Sequence, residues 1–373
     1  MHSFNYKIVI FLMGVLLLFN GCLMLISSLV SFFYKDGVTF EITLSSFLVL
    51  SLGALLMLFG RQYDKQIQKR EGYVIVTLGW IMMTISGMLP FIFTNSMVDI
   101  SSTFFETMSG YTATGATILQ DIESLPLGIL FWRSMTHWIG GMGIIVLAVA
   151  ILPLLGIGGI QLFSAEAPGP NNDKLHPRIT DTAKRLWLIY VSFTFLEAIL
   201  LSFAGMSIFD AVNHSMSTMA SGGFSTKNNS LAYWNHLPLV HYIIILFMFL
   251  AGSNFVLSYF ALTGKFKKVL GDNEFVTFLA FVLIFSFIVF TVIYTSVDLN
   301  NSYFDFPQIF GKLEGSIRHS LFQVLAIITT TGFVTSDYTA WTPFLTVFFF
   351  GLMFLGGSAG STSGGIKVVR HLL

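Results

Sequence analysis

The chain has 373 residues, of which 54% are hydrophobic and only 10% charged, with zero formal net charge and a mean hydropathy of +0.78. A soluble protein of this size carries about a quarter of its residues charged, so a soluble globular enzyme is excluded, as is a disordered chain, which needs low hydrophobicity and high net charge. The neutral balance and the lack of a polybasic tail argue against a nucleic-acid partner, and the single Cys22 excludes a disulfide framework or a thiolate metal cluster.

What remains is an all-α polytopic membrane protein in contact with lipid. About 20 apolar residues cross the hydrocarbon core. Residues 8–34, 42–60, 72–98, 134–165, 228–264, 275–297 and 338–366 carry no charge, and 186–205 is a further span interrupted only by Glu197. The first run is too long for a cleavable signal peptide and lacks a small-residue cleavage site before the next span, so it reads as a retained helix. Lys7, Arg61, Lys65, Lys69, Arg70, Lys174, Arg178, Lys184, Arg185, Lys265, Lys267, Lys268, Lys367 and Arg370 then fall on one side. The other side collects Asp36, Glu41, Asp99, Asp121, Glu123, Asp298, Asp305 and Glu314. By the positive-inside rule the N-terminus is cytoplasmic and eight spans are expected.

Three stretches, 102–120, 209–227 and 316–337, are too apolar for loops and too short or polar for spans. Each holds two to three helical turns and ends in a small, hydroxyl-rich, glycine-bearing tip. The tips read Thr112-Ala113-Thr114-Gly115-Ala116-Thr117, Met219-Ala220-Ser221-Gly222-Gly223-Phe224-Ser225 and Thr329-Thr330-Thr331-Gly332-Phe333. With both ends of each stretch outside, the segment must dip in and return. Such backbone is tolerated at membrane depth only when buried in protein or lining a water-filled cavity.

The tips belong to an internal repeat. Gly115, Gly222 and Gly332 are spaced by 107 and 110 residues, and nine positions before each stands a polar residue, Glu106, Asn213 or Gln323. Roughly 25 to 30 residues after each comes a small-residue break: Gly140-Gly141-Met142-Gly143, Ala251-Gly252-Ser253-Asn254 and Gly356-Gly357-Ser358-Ala359-Gly360-Ser361. The expected organisation is two N-terminal helices over 1–71, then repeats over 72–165, 166–268 and 269–373. A desolvated monovalent cation needs oxygens that replace its hydration shell, and backbone carbonyls supply them. Glycine permits backbone angles that aim a carbonyl without a Cβ clash, and the negative end of each half-helix favours a cation. One Thr-Gly tip could be a plain extracellular turn; three aligned copies between spans argue against that reading.

These stretches resemble the Trk/Ktr potassium-uptake family, nearest its TrkH branch. The resemblance rests on Phe105-Glu106-Thr107-Met108-Ser109-Gly110-Tyr111 with the first tip, and on His137-Trp138-Ile139-Gly140-Gly141-Met142-Gly143. It also rests on the second and third tips and on Gly356-Gly357-Ser358-Ala359-Gly360-Ser361-Thr362-Ser363-Gly364-Gly365-Ile366-Lys367. The resemblance implies a potassium-selective filter formed by Thr112, Ala113, Thr114 and Gly115, by Ala220, Ser221 and Gly222, and by Thr330, Thr331 and Gly332, with the ion held at their backbone. In related transporters a Ser at the first glycine goes with sodium permeation, so Gly115 favours potassium. It further implies a gate at Gly356, Gly357, Ser358, Ala359, Gly360, Ser361, Gly364 and Gly365. A homodimer in the inner membrane and a cytoplasmic ring of nucleotide-sensing regulatory subunits are also implied, with potassium as substrate and any nucleotide on the partner. The family has four repeats, and the period puts a fourth glycine at about residue 440, so the expectation is a chain one repeat short, a fragment that need not conduct alone.

Other residues have rival readings. Glu197, mid-span, either couples a proton, pairs with another charge or is simply buried and hydrogen-bonded; the last is the plainer. Arg133 and His137, one turn apart, read as an interfacial packing pair before a proton relay. Glu106 and Asn213 either attract cations or brace the filter backbone. His214 and His319 show no metal-ligand spacing. The 356–365 run lacks the Gly-Lys-Ser/Thr of a phosphate loop. An intramembrane serine hydrolase would require Gly-x-Ser-Gly, whereas Ser358 is followed by Ala359.

Overall fold

The first apolar run forms a 29-residue helix, Tyr6–Tyr34, capped by the Asn5 side chain, which accepts from the Ile8 amide. Lys35 in the left-handed region ends it, and the chain returns as Thr39–Gly60. Glycines let these two backbones approach closely, the usual device of helix packing in lipid. A Cβ on Gly53 would lie 2.9 Å from the Leu18 nitrogen, and one on Gly60 would lie 2.6 Å from the Phe11 nitrogen. The outward face of the second helix leaves Leu55, Leu58 and Phe59 exposed, as a lipid-facing surface requires.

The computed structural model describes residues 4–61, 69–141, 143, 179–297 and 310–373. They fall into two compact units, Met1–Trp187 and Leu188–Leu373. After the first hairpin, the first unit holds the span Arg70–Phe93, a half-helix Ile100–Tyr111 and the helix Leu127–Gly141. Asn20 ties the span and the half-helix to the hairpin: its amide donates to Ser86 Oγ (2.8 Å) and its carbonyl accepts from the Tyr111 hydroxyl (2.7 Å). Asn20→Ala strands the Tyr111 hydroxyl in the core, and we expect a loss of about 1–3 kcal/mol. It should be read as a lowered melting midpoint of the detergent-solubilised protein.

The second unit contains most of the helix Ile179–Phe203, the half-helix Ile208–Met219, and Pro238–Gly252 followed by Phe255–Leu262. It continues with Asn273–Ser296, the third half-helix Gly311–Ile328 and Pro343–Leu352. Its core joins Leu201, Val240, Ile244, Phe278, Phe322 and Phe349. The pair Pro238–Gly252 and Phe255–Leu262 is bent by 111°. The bend falls where Ser253 is extended and Asn254 starts a new helix by accepting from the Val256 amide (2.9 Å).

Eight spans were expected; among the described residues five helices are long and apolar enough to cross a membrane, or six if the bent pair counts as one. The stretch 338–366 is not a continuous span. Its helix stops at Leu352 and the chain enters the glycine run, which hydropathy counts as apolar but whose residues do not propagate a helix. The greater part of the expected span 134–165 lies outside the described residues, as do Lys65, Lys174, Arg178, Asp298 and Asp305.

Candidate functional site

All three half-helices end alike. The first is started by Asp99, which accepts from the Ser102 amide (2.7 Å). Bonds from the Ser102 side chain and amide hold that exposed carboxyl below its usual range, so the cap stays charged. The second starts with Ser207, whose hydroxyl accepts from the Asp210 amide (3.0 Å) and donates to Asp210 Oδ2 (2.7 Å). At the far end, the amide of Ala113 bonds Gly110 O (3.0 Å) and that of Thr114 bonds Ser109 O (2.9 Å). Ser221 bonds Thr218 O (2.9 Å) and Gly222 bonds Ser217 O (3.0 Å) in the same pattern. In the third, Thr330 bonds Ile327 O (3.0 Å) while Gly332 reaches Ala326 O (2.9 Å). The first two make the Schellman closure, and the third keeps its shorter bond while the longer one comes from one residue later; in each, one residue takes the left-handed conformation in which glycine is the usual occupant. Here the residues are Ala113 (φ 51°), Ser221 (φ 55°) and Thr330 (φ 57°). Non-glycine residues in that region cost of order 1–3 kcal/mol and persist where the surroundings over-determine them.

Two residues further on, each tip has a glycine of positive φ: Gly115 (75°), Gly223 (80°) and Gly332 (75°). By backbone conformation Gly223, not Gly222, corresponds to the other two, and glycines of that conformation are spaced by 108 and 109 residues. Gly222 occupies the place of Thr114 and Thr331. Spacing alone could not choose between adjacent glycines, but the shared pairs Gly223-Phe224 and Gly332-Phe333 could have. A Cβ on Gly223 would collide with the Thr331 carbonyl oxygen, whereas one on Gly332 would meet nothing within 4 Å. The second and third tips therefore pack together, and Gly332 faces open space. Among the described residues, the carbonyls of 112–115, 220–223 and 329–332 accept no hydrogen bond from a backbone amide.

The glycine run 356–365 folds into a loop closed at its neck by Gly356 N to Ile366 O (2.9 Å) and Ile366 N to Phe354 O (3.3 Å). It lies against the residues that open the second and third tips. The Thr362 hydroxyl is 2.9 Å from both Met219 O and Ser221 Oγ, and the Gly364 amide donates to Thr330 Oγ1 (2.7 Å). The loop also takes up backbone groups freed by the bent helix: Ser358 N donates to Gly252 O (2.9 Å), Thr362 N to Ala251 O (3.2 Å), and Gly360 O accepts from Phe255 N (3.2 Å). Glu274 Oε1 clips its base by accepting from the amides of Ala359 (2.6 Å) and Val369 (3.3 Å). Lys367 Nζ donates to the Ser363 carbonyl. The filter and gate residues singled out in the second and third repeats are thus brought together, by partners (Glu274, Thr362) that no spacing indicated.

Arg133 Nε is 2.7 Å from Glu106 Oε1, both side chains buried, so the charge of Arg133 is directed at the first half-helix. Asn213 turns back to Phe209 O of its own helix (2.7 Å). Glu197 is fully buried. Among the described residues no three His, Cys, Asp or Glu side chains are grouped to hold a metal ion.

Residues 38–373 match the model of the TrkH family, described as cation transport proteins. The chain is 42% identical over 372 residues to the Trk system potassium uptake protein TrkH of Escherichia coli strain K12, covering 99% of this chain and 74% of that protein. It is 39% identical over 374 residues to the protein of the same description from Vibrio parahaemolyticus, covering 99% and 75%. The crystal structure of the potassium transporter TrkH from Vibrio parahaemolyticus is similar with a TM-score of 0.84 and 35% identity, over 99% of this chain and 74% of that one.

Proposed function

The chain belongs to the TrkH family of cation transport proteins, and from that premise we propose that it carries potassium uptake along the free backbone carbonyls of its filter tips. The observation that carries the reading is the repeated tip: a half-helix, a strained left-handed residue, then a glycine, with carbonyls that accept from no backbone amide among the described residues. Such oxygens replace the hydration shell of a potassium ion, and the partly negative half-helix ends add to the attraction. The tip residues are Thr112, Ala113, Thr114 and Gly115, then Ala220, Ser221, Gly222 and Gly223, and Thr330, Thr331 and Gly332. The loop 356–365 acts as the gate, since it touches the two tips at Ser221 and Thr330 and is hinged on the 111° bend.

The protein is a multi-pass inner-membrane protein, the membrane subunit of a Trk-type system. Its N-terminus is cytoplasmic, in line with the positive charge that follows alternate spans. It forms a homodimer, and its basic cytoplasmic loops dock nucleotide-binding regulatory subunits. The test is uptake of radioactive rubidium by cells lacking their own potassium-uptake systems but expressing this chain. Unlabelled potassium is expected to compete and sodium not; equal competition by sodium would sink the reading.

A further inference from the structure

With the register set by Gly115, Gly223 and Gly332, the residues nine positions earlier are Glu106, His214 and Gln323. All three are buried, at 1%, 0% and 0% exposure. Each reaches across its tip to a hydroxyl on the strand that leaves it. Glu106 accepts from Thr117 Oγ1 (2.9 Å) and from the Ile118 amide (3.1 Å). His214 Nε2 lies 2.9 Å from Ser225 Oγ, and its Nδ1 donates to Asp210 O (2.8 Å), which leaves Nε2 to accept from the serine. Gln323 Nε2 donates to Thr335 Oγ1 (3.2 Å), whose hydroxyl donates in turn to His319 Nδ1 (2.9 Å). The chemistry differs, being a carboxylate, an imidazole and an amide, but the bridge is the same: half-helix to outgoing strand, 11 or 12 residues apart in sequence.

We propose that Glu106, His214 and Gln323 are positioning residues that set the shape of the filter tips and thereby the discrimination between potassium and sodium. The inference rests on the filter reading above. Among the described residues the tip carbonyls accept from no backbone amide, so the width of a tip is held by side-chain bonds and by its two ends. Each brace ties one end to the other. Arg133, 2.7 Å from Glu106, balances the one charged brace. Asp210, whose Oδ1 accepts from Thr226 Oγ1 (2.6 Å), holds the residue after Ser225 on the second strand. Cutting a brace lets the tip widen, which changes which ion fits without closing the path.

The experiment is potassium and sodium uptake by the full chain in proteoliposomes, with rates measured across concentration. Glu106→Ala, His214→Ala and Gln323→Ala are each expected to lower the potassium-to-sodium ratio about ten-fold, the equivalent of roughly 1.4 kcal/mol, with little change in maximal potassium rate. Thr117→Val and Ser225→Ala cut the same bridges from the strand side, leave the half-helices intact, and are expected to give the same loss. His214→Gln, which offers Ser225 an acceptor again, is expected to restore the ratio. Wild-type discrimination in the folded alanine variants, or in the two strand-side variants should the alanines fail to fold, overturns the inference alone. Absence of potassium preference in the unsubstituted protein overturns the filter reading, and this inference with it.

Discussion

Gly332→Ser is expected to cut potassium-over-sodium discrimination by on the order of ten- to a hundred-fold, the equivalent of roughly 1.4–2.8 kcal/mol. The position isolates backbone conformation from packing. A Cβ there meets nothing within 4 Å, so no clash accompanies the change. The φ of 75° is nonetheless unfavourable for any residue but glycine, and the strain of about 1–3 kcal/mol is relieved most simply by rotating the adjoining peptide units. Those units carry the carbonyls assigned to the ion. The protein should fold normally while its sodium uptake rises relative to potassium. Gly223→Ser should do worse, because its side chain must also displace the Thr331 carbonyl. Unchanged uptake ratios in folded Gly332→Ser would remove this residue from the filter.

Thr362→Val is expected to act on rate rather than selectivity. The hydroxyl joins the gate loop to the second tip through Met219 O and Ser221 Oγ, and to the bent helix through Ala251 O (3.2 Å). Valine preserves the shape and removes about two hydrogen bonds, each contributing about 1 kcal/mol. A loop that blocks the path when docked is then released about 30-fold more readily. The maximal uptake rate should rise toward that factor, with the potassium-to-sodium ratio unchanged because the tip carbonyls keep their conformation. A changed ratio at unchanged rate would assign Thr362 to the filter instead of the gate.

Much of the architecture was legible because it is written in local composition. Charge-free runs mark the long helices, apart from 338–366, which breaks at Leu352, and the tips announce themselves by hydroxyls and glycine three times over. One miss is a matter of register; the Glu106–Arg133 pair, the Glu274 clip and the gate-loop contacts depend on partners distant in sequence. Asn213 was expected in the place that His214 takes, since a register counted from Gly222 instead of Gly223 is off by one, and on a helix one residue turns the side chain by 100°. The Glu106–Arg133 pair, 27 residues apart, and the Glu274 clip, 85 residues from Ala359, have no periodic signature. The glycine run 356–365 was readable as a break; its contacts with Ser221 and Thr330 were not, because they join elements more than 30 residues apart.

The central claim is that ions pass along the backbone carbonyls at the tips, and a structure determined in rubidium tests it most directly. Anomalous difference density is expected beside the carbonyl oxygens of 221–223 and 330–332, weakened or displaced in Gly332→Ser. Rubidium density at side-chain carboxylates, with none along those carbonyls, would contradict the account.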